Sequence, residues 1–109
     1  MAYQLLYSQS YYIISKIMIK ISELNTLYTA AFNAADKYAK DFLESSEIVQ
    51  LFTTTAALGS KEVFIQVPYC EKLTSSIVMD AVRSELHANG YKSSVLESRT
   101  NTLLVTWNV

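Results

Sequence analysis

Apolar positions in the first half of the chain step by three and four. Leu24, Tyr28, Ala31, Ala35, Tyr38 and Phe42 recur at helical spacing, and Val49, Phe52 and Ala56 resume the series after a lapse at Ser45. Leu27, Phe32, Ala39 and Leu43 widen the stripe, as expected of a helix face that covers a core rather than forming a narrow coiled-coil seam. Ser22 is the candidate N-cap with Glu23 in the first turn, and Gly59 is the candidate left-handed residue after Leu58. The pattern predicts helix over 23–58. Its phase runs through Ser45 and Ser46, which favours one long helix, while serine there is also a start signal for a second. One helix of that length would reach roughly 50 Å, longer than a domain of this size needs. A break near Ser45 or a partner chain would resolve the mismatch.

After Gly59 the period changes to two. Val63, Phe64, Ile65 and Val67 form a first strand closed by Pro68, which has no N–H to donate. Leu73, Ile77, Val78, Ala81, Val82 and Leu86 then return to helical spacing over 71–89, with Asn89-Gly90 as the stop. Residues 91–98 and 102–108 alternate again around a polar turn at Arg99, Thr100 and Asn101, which reads as a hairpin. The expected architecture is α+β: a long N-terminal helix, or helical hairpin, packed with a β-α-β-β unit at 61–109 that contains a small three-stranded sheet. A single domain then spans 22–109, preceded by a hydrophobic arm rich in Tyr and Ile at 1–21.

Alternation sets Val63, Ile65 and Val67 against Phe64, sets Leu103, Val105 and Trp107 against Leu104, and splits Val95 from Leu96. Both sheet faces therefore carry apolar residues, and two covers are expected. The 71–89 helix supplies one, and the long helix or a second subunit supplies the other. Burial of Phe64, Leu96 and Leu104 would contribute about 1.5–3 kcal/mol each. The two outer strands lack a run of edge lysines or prolines, so pairing between subunits is open to them.

Half of the 109 residues are hydrophobic and only 17% are charged, which excludes a disordered chain and favours association into a homo-oligomer. A net charge of -1 with scattered Lys and Arg offers no footprint for duplex nucleic acid. A lone cysteine, Cys70, fits a reducing compartment and makes the cytoplasm the default. The start of the chain, MAYQLLYSQSYYIIS, is interrupted by Gln and Ser and followed by Lys16 and Lys20, which matches neither a signal peptide nor a membrane span. It reads as a sticky helix or strand. The KIMIKIS segment suits a short strand as well as a helix, and Met18 is an alternative initiator that would leave a detachable arm before it.

Catalytic chemistry finds little footing, and no enzyme is expected. His87 and Cys70 are single and 17 positions apart, roughly 25 Å along one helix, so they form no nucleophile and base pair within the chain. His87 reads as a cation in a last helical turn, and Cys70 as a small buried hydrophobe. No zinc ligand set, calcium loop or phosphate loop is present in the sequence, so no cofactor or metal is expected. Tyr3, Tyr7, Tyr11, Tyr12 and Ile14 in the arm, with Phe64, Leu104 and Trp107 on the strands, are the candidate interface. Tyrosine's apolar body and polar tip suit that role and equally suit half-buried packing. Tyr69, Arg83, Lys92 and Arg99 are candidate contacts for an anionic, ring-bearing ligand if folding brings them together.

The order helix, EVFIQVP, a second helix ending in HANGYKSS, and a final LLVTW resembles small proteins of tailed bacteriophages, which often close in a Ser/Thr-Trp strand. The resemblance covers about residues 22–109; the Tyr-rich arm at 1–17 departs from it. It implies a phage origin and names no activity. Two readings follow. One is a non-enzymatic, oligomeric accessory protein of the host cytoplasm that sequesters a host protein or a small nucleotide signal, as counter-defence proteins do. The other is a virion structural subunit, of capsid or tail, that locks neighbours together through its arm. No membrane partner is expected.

Overall fold

The computed structural model describes residues 18–107, so Tyr3, Tyr7, Tyr11, Tyr12 and Ile14 lie outside the described residues. The chain divides into two compact units, Met1–Ala30 and Ala31–Val109. The first contains the start of helix α1 (Ile21–Leu43). The Lys20 carbonyl accepts the N–H groups of Glu23 and Leu24, both at 3.0 Å. Ser22 thus lies inside the first turn rather than capping it, and its carbonyl accepts the Thr26 hydroxyl at 3.0 Å. Ile21, Leu24, Leu27 and Tyr28 are exposed.

In the second unit the helical stretch is divided. Helix α2 (Ser46–Ala57) begins after Ser45, which is extended at φ -64 and ψ 150. The Ser45 N–H and hydroxyl both donate to the Phe42 carbonyl, at 3.2 and 2.7 Å. A side chain that competes for backbone acceptors gives the chain an alternative to continuing the helix, which is why an unbroken apolar phase does not yield an unbroken helix. At its other end Gly59 adopts φ +92. The N–H of Gly59 donates to Ala56 and that of Ser60 to Thr55, the paired bonds of a Schellman terminus.

Strand β1 (Glu62–Gln66), helix α3 (Ser75–Ala88), strand β2 (Lys92–Val95) and strand β3 (Thr102–Thr106) complete the fold. Helix α3 starts later than apolar spacing suggests because Thr74 caps it, its hydroxyl accepting the Ile77 N–H at 3.4 Å. Gly90, at φ +90, closes it with a second Schellman pair, Gly90 to His87 and Tyr91 to Leu86. The sheet order is β1-β3-β2, antiparallel throughout. The last strand therefore sits in the middle, and α3 is the crossover that joins the two outer strands, which run parallel to each other on either side of it.

Register places Val63 beside Val105 and Ile65 beside Leu103, with Ser93 and Val95 across from the same two residues. Leu103 and Val105 are fully buried. They share one core with Val78, Met79, Ala81, Val82 and Leu86 of α3, with Ala35 and Ala39 of α1, and with partly buried Ile48 and Phe52 of α2. The three described helices thus pack on a single sheet face, so the long helix does not supply the second cover expected of it. Phe64 remains 49% exposed, and neither Leu104 nor Leu96 belongs to the core.

The two faces should respond differently to truncation. Leu103→Ala is expected to destabilise the protein by about 2–5 kcal/mol in urea unfolding, whereas half-exposed Phe64→Ala should cost only about 1 kcal/mol. Equal losses would contradict the one-sided core.

Candidate functional site

The uncovered face is built from the even-numbered residues of the strands. Phe64, Leu104 and Ser94 form its middle row, Glu62, Thr106 and Lys92 one end, and Gln66 and Thr102 the other. An apolar centre thus sits inside a polar margin. The turn between β2 and β3 folds over one end of this face, with Asn101 at φ +50, a left-handed conformation that Asn tolerates better than most residues. Arg99 sets its guanidinium 5.6 Å from the centroid of the Phe64 ring, within range of a cation–π contact. The Thr100 carbonyl accepts from the Thr102 hydroxyl at 3.0 Å and from the Gln66 amide at 3.5 Å. Together these groups line a shallow depression of about 380 Å³.

Tyr69, Arg83, Lys92 and Arg99 do not converge. Arg83 is spent on the fold: Nε donates to the Ser93 hydroxyl at 3.2 Å and Nη2 to the Ser93 carbonyl at 3.1 Å, pinning α3 to β2. Lys92 borders the same place, with Asp80, Ser84 and His87 around a surface depression. Arg99 belongs to the open face, and Tyr69 stands exposed in the connection between β1 and α3. Trp107 has a similar fate as an interface candidate. It lies on the helical side, stacked at 5.6 Å on Phe52 and edge-on to Tyr91 at 6.1 Å.

Phe52, Tyr91 and Trp107 also floor a surface groove between α2 and the end of α3. Lys40, Glu44, Glu85 and Asn89 stand along its continuation. Sequence reasoning missed this groove because its three aromatic residues come from three distant segments, each of which reads locally as core. With two carboxylates against one ammonium, its rim does not suit an anion.

Cys70 is half-buried beside Tyr38, whereas His87 belongs to the last turn of α3. Burial, and secondarily the Cys70 thiol, raise the Tyr38 phenol above its ordinary value; its hydroxyl donates to the Pro68 carbonyl at 3.4 Å. Among the described residues, no group of three or more His, Cys, Asp or Glu could hold a metal ion, and no helix is long and apolar enough to cross a membrane. Comparison with family models, curated proteins and solved structures returns no match to the chain.

Two outcomes are expected. Arg83→Ala should cost about 1.5–3 kcal/mol in chemical unfolding, the range for hydrogen bonds to a charged group, with little recovery in Arg83→Lys because an ammonium cannot reproduce the forked contact. The raised Tyr38 pKa contributes stability that is fully present below pH 10.0, the ordinary phenol value, and is lost as pH rises through the higher folded value. Tyr38→Phe should therefore flatten the alkaline decline seen in thermal melts across that range; an unchanged decline would remove Tyr38 as its source.

Proposed function

We propose that the chain is a non-enzymatic, oligomeric accessory protein of a tailed bacteriophage that holds a host protein against the open face of its sheet. The observation that carries this reading is the row of half-exposed Phe64 and partly buried Leu104 at the centre of a face that has no helical cover among the described residues. An apolar middle ringed by Glu62, Gln66, Lys92, Ser94 and Thr106 has the anatomy of a protein interface, a desolvating centre with a polar rim. A protein partner is favoured over a nucleotide signal because the candidate anion contacts are dispersed and Arg83 is already committed to Ser93. Phage origin rests on the resemblance carried by EVFIQVP, HANGYKSS and LLVTW. The host cytoplasm is the corresponding place of action, and counter-defence the corresponding role.

The virion reading draws support from a different feature, the exposure of Ile21, Leu24, Leu27 and Tyr28 on the first turns of α1. A helix that presents such residues to water gains by assembly. The two readings differ in outcome: the accessory protein forms a small closed oligomer, and the virion subunit assembles without limit or co-purifies with particles.

The test is capture from phage-infected cells with wild-type protein, with Leu104→Glu, and with Thr54→Lys on exposed α2 as a control. A single stoichiometric partner in native mass spectrometry, reduced about tenfold or more by Leu104→Glu and retained by Thr54→Lys, is the expected result. Equal capture by all three proteins would remove the open face as the binding surface.

A further inference from the structure

The two edges of the sheet are not equivalent. In an antiparallel ladder, alternate residues turn both N–H and C=O toward the neighbouring strand. The Trp107 N–H donates to the Lys61 carbonyl and the Val67 N–H to the Asn101 carbonyl, so the odd residues of β1 face β3 and the even ones face outward. Glu62 is already satisfied, because the Ser60 hydroxyl accepts its N–H at 3.3 Å and donates to its carbonyl at 3.2 Å. Pro68 has no N–H, and its carbonyl accepts the Tyr38 hydroxyl. Between these two closed positions the N–H and C=O groups of Phe64 and Gln66 have no partner among the described residues. On the opposite edge, the outward carbonyl of Ser93 is taken by Arg83.

We propose that β1 joins a second copy of this chain, antiparallel about a two-fold axis at Ile65. The choice of occupant follows from hydrogen-bond complementarity. A two-fold register centred on Phe64 would set Gln66 against Glu62 of the copy and require the Ser60 bonds to break. One centred on Gln66 would set Phe64 against Pro68, leaving the Phe64 carbonyl without a donor. The register centred on Ile65 sets Phe64 against Gln66 in both directions and satisfies every free group. It also places Glu62 opposite Pro68, two positions already closed within each chain. No internal hydrogen bond is lost.

The side chains agree with that register. On the helical face Ile65 meets its own copy and Val63 meets Val67, so residues buried in each core continue across the junction. On the open face the two Phe64 rings become diagonal neighbours on adjacent strands, close enough to interact. A two-fold normal to the sheet keeps both helical layers on one side. The strand order becomes β2-β3-β1-β1-β3-β2, a single sheet with one continuous open face. The proposal rests on the reading of the chain as an oligomer and supplies its interface.

Hydrogen exchange by NMR on the full chain, combined with sedimentation over a micromolar to submillimolar range, tests it. The expected result is a dimer in which the Phe64 and Gln66 amides are protected at high concentration and exchange freely on dilution. Gln66→Pro removes an outward N–H and no backbone bond of the sheet, losing within the chain only the 3.5 Å contact of the Gln66 side-chain amide to the Thr100 carbonyl, so this variant should sediment as a monomer while retaining the wild-type near-ultraviolet circular dichroism. An oligomer whose Phe64 and Gln66 amides exchange freely at every concentration overturns the β1 junction alone and leaves the oligomeric reading standing. A wild-type monomer throughout the range overturns both.

Discussion

Burial of Leu103 and Val105 on the central strand is the constraint on which the rest of the structure depends. Because β3 is hydrogen-bonded on both sides, its side chains can be taken from water only above or below the sheet. Helix α3 must pass over the sheet to connect β1 with β2, and it carries Val78, Val82 and Leu86 onto the face where Val63, Ile65, Leu103 and Val105 converge. Helices α1 and α2 extend that same layer. Ala35 and Ala39, both fully buried, leave room for α1 to approach closely, while Phe52 meets Tyr91 at the start of β2 and Trp107 at the end of β3. Among the described residues, no element forms a second layer on the other side.

Much of this was legible in local pattern. Period-two alternation identified which strand residues share a face, and Gly59 and Gly90 marked two helix ends because left-handed backbone after a last turn favours glycine. The choice of face was not legible. Phe64, Leu96 and Leu104 made the second face look as if it needed a cover, yet the residues that surround them in register are Glu62, Gln66, Lys92, Ser94 and Thr106. Pairing across strands sets Ser94, not Leu96, beside Leu104, so the apolar residues of that face do not gather into one patch. Ser45 illustrates the converse case, a local hydrogen bond that overrides a continuous apolar phase.

Candidate chemistry was legible as residue types but not as constellations. Arg83 looked available for a ligand, and its role as the link between α3 and the Ser93 backbone depends on two segments ten residues apart meeting edge to helix. Arg99 looked available for the same ligand, and the hairpin turn brings it over Phe64 instead. That contact leaves an aromatic ring half in water with a cation beside it, an arrangement that can remain exposed in the free protein and still supply area to a partner. Ser60 and Arg83 have parallel effects at the sheet's margins, since each occupies an outward backbone group that would otherwise invite pairing.

The central claim, that one sheet face is covered by helices while the other is free for a partner, is most directly read by NMR with a paramagnetic cosolvent on methyl-labelled protein. Successive residues of β3 should alternate. Leu104 methyl signals should broaden strongly, while those of Leu103 and Val105 should remain sharp, with Ile65 behaving as they do. Protection of Leu104 equal to that of Leu103 in the free protein would mean that the second face is already covered, and would contradict the account.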